Sequence, residues 1–109
     1  MSIYQGTVYS ATFQITADGA AVDITNWEFT AHFRHHTPDS DVLVTLTTAN
    51  GGFTVTSALE GTFTMQLTPE QTELLTVGHV VFDIMRTDTG DPQRLAGCKA
   101  RVKQPVTRL

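Results

Sequence analysis

Gly61-Thr62-Phe63-Thr64-Met65-Gln66-Leu67-Thr68 is the stretch that decides the fold class of this 109-residue chain. Apolar Phe63, Met65 and Leu67 alternate with polar Thr62, Thr64 and Gln66. A β-strand imposes that period of two by pointing successive side chains to opposite faces. The run therefore reads as a strand with one face on a core and the other outside it. It is entered through the Glu60-Gly61 turn and left through Thr68-Pro69-Glu70-Gln71. There Thr68 can cap a helix, Pro69 suits its first turn and Gln71 can complete a capping box, which predicts one short helical turn near 69–75.

Working outward, the same period recurs. From Val8 to Thr16, Tyr9, Ala11, Phe13 and Ile15 share a face. From Trp27 to His35, Trp27, Phe29, Ala31 and Phe33 point inward, a content that predicts a core strand. Val42, Val44 and Leu46 share one side of a strand from Val42 to Thr48, and Phe53 to Thr56 is expected to pair back on it through Asn50-Gly51-Gly52. Val80 to Thr87 is apolar on both faces apart from Asp83, so it should be central. Arg94 to Gln104 closes the fold with Ala96, Cys98, Ala100 and Val102 inward and Lys99, Arg101 and Lys103 outward; Pro105 ends it. Asp18-Gly19, Thr37-Pro38-Asp39-Ser40-Asp41 and Asp88-Thr89-Gly90-Asp91 read as turns or loops. Strands interrupted at roughly ten-residue intervals predict an all-β sandwich, a single antiparallel domain over 1–109 with about seven to eight strands. Only the first few and last few residues are left as free arms.

Composition narrows the function classes. One core is expected at this length, with no metal, disulfide or cofactor needed to complete it. The lone Cys98 reads as a small interior side chain. A formal net charge of -4 gives no electrostatic reason to bind a nucleic-acid backbone. No apolar run approaches a membrane span, and Met1-Ser2-Ile3-Tyr4-Gln5 lacks the start of a secretory signal, so the chain is expected to be made and kept in a cytoplasm until assembled or released. Charged residues make up 17% of the chain, against about 25% in ordinary soluble domains. Much of the exterior must then be neutral, chiefly threonine, and such a surface is cheap to desolvate against a neighbour. It is equally what a threonine-rich strand presents to water.

Candidate chemistry is sparse. His35 and His36 are adjacent and would face opposite ways on a strand, while His32 and His79 stand apart, so no common zinc spacing results. Only a tertiary meeting of His32 or His36 with Asp39 or Asp41 would change that. No Gly-x-Ser-x-Gly elbow or phosphate-cradling loop occurs. Asp83, the one acid inside an apolar strand, could serve as a general acid, or more simply accept hydrogen bonds from a neighbouring turn or pair with Arg34 or Arg86. The neutral strand face of Thr62, Thr64 and Gln66 and the basic stripe of Lys99, Arg101 and Lys103 are the candidate protein-contact residues. The stripe could dock an acidic partner, or could be a solvated face that discourages edge-to-edge aggregation.

Asp23-Ile24-Thr25-Asn26-Trp27, followed by Phe29, Ala31, Phe33 and Arg34, resembles the Asp-Leu-Thr-Gly-aromatic turn and arginine-ended strand of small immunoglobulin-like structural proteins of tailed bacteriophages. Gly61 to Thr68 is similar to that group's strand before its short helix. Phe82-Asp83-Ile84 is similar to its Tyr-Asp-Leu strand, and Gly97 to Val102 with Val106-Thr107-Arg108 to its closing strand and tail. The resemblance implies an immunoglobulin-like sandwich with a non-enzymatic role in the virion, at a tail, baseplate or fibre attachment. It also implies other virion proteins as partners, several symmetric copies, and no small-molecule substrate, in a protein made in the host bacterial cytoplasm. Asn26 stands where glycine is usual, which a turn tolerates. The chain ends at Leu109 without a long extension, so the expectation is a bare adaptor, connector or decoration subunit. A carbohydrate- or receptor-binding module, using loops such as His35 to Asp41 and Asp88 to Asp91, is the alternative. The inward assignment of most aromatics counts against it.

Overall fold

A computed structural model describes residues 1–35 and 41–106. In chain order these form β1 (Ser2–Tyr4), β2 (Tyr9–Gln14), β3 (Thr16–Ala17), β4 (Ala20–Ala21), β5 (Phe29–Arg34), β6 (Val42–Thr47), β7 (Phe53–Ser57), β8 (Thr62–Leu67), α1 (Pro69–Leu74), β9 (Gly78–Arg86) and β10 (Gln93–Lys103). The chain is mainly β. One sheet has five strands in the order β1-β10-β9-β5-β6, a second has three in the order β2-β8-β7, and β3-β4 is a small hairpin.

The alternation read from the sequence is what closes these sheets on each other. Phe29, Ala31 and Phe33 of β5, Val80, Phe82 and Ile84 of β9, and Phe63, Met65 and Leu67 of β8 are all buried. Phe63 lies with its ring centroid 4.3 Å from that of Phe29 and 5.5 Å from that of Phe13, and Phe53 packs beside both Phe29 and Phe63. Each buried ring of this cluster removes enough apolar surface from water to contribute about 1.5–3 kcal/mol.

Local chemistry sets the turns. Asp23 accepts hydrogen bonds from the Thr25 amide and hydroxyl, and Asn26 sits at φ 65°, so the chain reverses there and enters β5. The Thr25 hydroxyl holds the Asp23 carboxyl below its ordinary range. At the start of α1 the Gln71 amide donates to Thr68 Oγ1 at 3.2 Å and the Thr68 amide donates to Gln71 Oε1 at 2.8 Å, the reciprocal box the sequence predicts.

Several expectations are corrected. Phe53 to Thr56 does not pair back on the Val42–Thr48 strand; β7 pairs with β8 in the other sheet. The Asn50-Gly51-Gly52 corner carries the chain between sheets, because the buried Gly52 packs against Leu46 and its carbonyl accepts from the Gln66 amide of β8 at 2.8 Å. The first residues are not a free arm: Ile3 is fully buried and β1 pairs with β10. That pairing is parallel, so the fold is not purely antiparallel, and among the described residues the strands number ten instead of seven to eight. Val42 is exposed because the β5–β6 register shifts at Phe33/Arg34. Trp27 precedes its strand and is half-buried, and Cys98 is half-buried too. The helix ends at Leu74, one residue early. The loop expected at Thr37 to Asp41 lies outside the described residues except for Asp41, as do His36 and the tail from Thr107.

Candidate functional site

The outward side chains of the three-stranded sheet form one continuous uncharged face. Registered pairs place Ser10 opposite Gln66, Thr12 opposite Thr64 and Gln14 opposite Thr62, and Thr64 is in turn opposite Thr54 of β7. Thr56 completes the face with its hydroxyl donating to the Thr62 carbonyl at 3.3 Å. Thr12 and Thr64 bring their hydroxyls within 3.3 Å of each other, a cross-strand pair that holds both side chains in register. Every residue of this face is serine, threonine or glutamine, so Thr62, Thr64 and Gln66 belong to a larger array. The strand pairings that gather Ser10, Thr12, Gln14, Thr54 and Thr56 around them are set by tertiary structure.

The opposite exterior, on the five-stranded sheet, is charged. Lys99 lies across β9 from Arg34 with Val81 between them, and Arg101 lies opposite His79. Arg34, Arg86, Arg94, Lys99, Arg101 and Lys103 are all on strands of this one sheet. Lys103 holds its ammonium 6.0 Å from the centroid of the exposed Tyr4 ring. Only part of the basic stripe is covered at its edge, because β1 borders β10 along Arg101–Lys103 and stops short of Lys99. Lys99, Arg101 and Lys103 thus sit together on the outer face, far in sheet position from Thr62, Thr64 and Gln66 on the other sheet.

Asp83 stands beside His32 in the β5–β9 register and beside Gly97 in the β9–β10 register. Among the described residues its charged partner is Arg94, at 3.3 Å, and not Arg34 or Arg86 as the sequence suggested. The reason is local. A side chain at Gly97 would overlap the Arg94 guanidinium, so the missing side chain lets Arg94 fold back along its own strand to reach Asp83. A register shift between Arg94 and Ala96 helps to bring it there. Both side chains are more than half exposed, at 62% and 54%, so the pair is a solvated one. A shallow groove of about 410 Å³ runs over this region, with Val81 and Met85 as apolar floor and Thr30, His32, Arg34, Asp83, Thr87 and Pro92 around it. The Thr30 and Thr87 hydroxyls engage each other at 3.2 Å. The arrangement offers donors and acceptors on an apolar base, the chemistry of a contact surface.

Arg86 belongs to a different cluster that sequence reasoning missed. Its guanidinium lies 3.7 Å from the Trp27 ring centroid and donates to both Asp88 oxygens, at 2.9 and 3.1 Å. Asp88 Oδ1 also accepts from the Glu28 amide at 3.3 Å. Held first by the Arg86 guanidinium, the Asp88 carboxyl is pulled down to about 2. The cluster ties the end of β9 to the entry of β5. The spacing Arg86-x-Asp88 was visible in the sequence, but not its meeting with Trp27.

Among the described residues no group of three or more His, Cys, Asp and Glu side chains is placed to hold a metal ion. No protein-family model matches the chain, and no curated protein is significantly similar to it.

Proposed function

We propose that this protein is a non-enzymatic assembly subunit, an immunoglobulin-like sandwich that docks the uncharged face of β2, β8 and β7 onto other proteins of a phage virion. The observation that carries the reading is the separation of charge. Ser10, Thr12, Gln14, Thr54, Thr56, Thr62, Thr64 and Gln66 cover one sheet without an ionisable group, whereas the strand cations lie on the other sheet. Desolvating hydroxyls and amides against a partner that returns their hydrogen bonds costs far less than desolvating ammonium or carboxylate groups. The immunoglobulin-like description is supported by the strand order, in which consecutive strands change sheets between β6 and β7 and again between β8 and β9. The phage setting is supported by the turn, strand and tail patterns around Asp23, Gly61, Phe82 and Gly97. An adaptor, connector or decoration role at a tail, baseplate or fibre attachment, in symmetric copies, accords with a small domain that presents an uncharged sheet face.

The test is a charge placed at the centre of the neutral face. Thr64→Lys, on the outward face of β8, should lower the unfolding free energy by no more than about 1 kcal/mol, the worth of the Thr12–Thr64 pair it removes. It should also remove the subunit from purified particles in electron microscopy and prevent its incorporation in reconstitution. Full incorporation of a folded Thr64→Lys chain would reject this face as the docking surface.

A carbohydrate- or receptor-binding module is the second reading, favoured by the groove over Val81 and Met85 with His32, Arg34 and Asp83 at its sides. Saturable glycan binding lost in Met85→Asp and retained in Thr64→Lys would select it.

A further inference from the structure

We infer that the seam between β2 and the first half of β10 is a slot for an extended segment of another protein, apolar on its inward side chains and acidic on its outward ones. This surface is distinct from the neutral face, and the inference stands whether or not that face docks.

Along this side the two sheets are less fully closed than at their centre. Inward residues of the central strands are buried, yet Tyr9, Ala11 and Phe13 of β2, Ile15 after it, and Leu95, Ala96 and Cys98 of β10 are all only half-buried. A recess of about 220 Å³ opens between them, with Phe13, Ile15, Leu95 and Ala96 as walls and Phe63 and Ile84 of the core at its base. Tyr9 and Cys98 lie close enough that the thiol adds to the rise that burial gives the phenol pKa.

Both walls end in strand edges. β2 is the last strand of its sheet, and β1 borders β10 only along Arg101–Lys103. The ladder stops where the Arg101 amide donates to the Met1 carbonyl at 3.0 Å. With a two-residue alternation, Lys99 and Gly97 turn their amide N–H and C=O to that same side, beyond the end of β1. A sheet edge of this kind beside an apolar recess selects an extended chain, whose backbone completes the ladder while alternate side chains fill the recess.

β1 is the template for the occupant. Its Ile3 points inward and is fully buried, while Ser2 and Tyr4 point out. A partner strand continuing along the β10 edge where β1 stops would place its own inward side chains over Leu95, Ala96 and Cys98. Its outward side chains would run beside Lys99 and Arg101, which form no ion pair among the described residues, and beside Arg94, shared with Asp83. Charge complementarity therefore calls for aspartate or glutamate at those positions.

The test uses a synthetic peptide of about eight residues alternating valine and aspartate, with both ends blocked. Its control has the same composition with the valines and aspartates segregated into two runs. Two readouts lie in the slot: iodoacetamide labelling of Cys98, and amide hydrogen exchange at Gly97 and Lys99 by NMR. With peptide at about ten times its Kd, labelling should slow about tenfold and both amides should gain protection, with no such effect from the segregated control. Lys99→Glu, an exposed substitution, should weaken the valine–aspartate peptide and strengthen a valine–lysine one. Equal protection by the segregated control, or no response to the charge exchange, would overturn the proposal. So would protection of Cys98 in the chain alone that grows with concentration alongside a dimer, since the occupant would then be a second copy. Thr64→Lys should leave all of these readouts unchanged, which separates failure here from failure of the neutral-face reading.

Discussion

Replacing Gly61 with alanine separates two costs that a tight turn imposes. Gly61 has φ +70°, and a Cβ built there would lie 2.6 Å from the carbonyl oxygens of both Ile15 and Val22. Those oxygens are backbone and cannot swing aside: the Ile15 amide donates to the Gly61 carbonyl at 2.9 Å, and the Ile15 carbonyl accepts from the Val22 amide at 3.0 Å. Gly51 provides the comparison, since it has φ +83° and open space around a Cβ. Gly51→Ala should therefore cost only the left-handed conformation, about 1 kcal/mol. Gly61→Ala adds the displacement of two packed strands, about 1–3 kcal/mol more. In equilibrium urea unfolding, with an m-value of about 2 kcal/mol/M for a domain of this size, the midpoint of Gly61→Ala should lie about 0.5–1.5 M below that of Gly51→Ala. Coincident midpoints would refute the reasoning, because they would mean that the β7–β8 turn is not wedged against the β3–β4 hairpin.

Phe63→Ala should lose about 3–5 kcal/mol by calorimetry or urea titration, since the ring is 2% exposed and joins both sheets; a loss under about 1.5 kcal/mol would mean another contact closes them. Thr68→Ala should cost about 1 kcal/mol, and Gln71→Ala combined with it should cost less than the sum of the two alone, because each half of the capping box needs the other. The Asp88 carboxyl is held down at about 2, below its ordinary 3.8. The unfolded chain therefore takes up the proton first, and the stabilisation is present above the ordinary value and lost as the pH falls through it towards about 2. The gap between the urea midpoints of the native protein and Asp88→Asn should close over that interval. A gap unchanged down to about pH 2 would remove Arg86 as the cause.

The candidate contact residues were legible one strand at a time. Thr62, Thr64 and Gln66 could be assigned outward from their own alternation, and Lys99, Arg101 and Lys103 likewise, because a strand's two faces are a local property of its backbone. Asp83 was different. Its partner depended on a register shift in β10 and on the absence of a side chain at Gly97, neither of which has a periodic signature. The Trp27–Arg86–Asp88 cluster and the open seam beside Cys98 were hidden for a related reason: each is made by segments far apart in the chain.

Alternation, the Asp18-Gly19 and Glu60-Gly61 turns and the Thr68–Gln71 box were enough to establish the longer strands, most of their inward faces and a short helix, since each rests on residues within a few positions of one another. Which strands became neighbours was decided only on folding. Asn50-Gly51-Gly52 reads locally as a hairpin, and the packing of Gly52 against Leu46 with its bond to Gln66 made it a corner between sheets. Ser2–Tyr4 is too short to announce itself as a strand, and became one because Ile3 had an apolar site to fill beside β10. Periodicity is written in neighbouring residues, whereas pairing is settled by a competition among surfaces that exist only once the chain has collapsed.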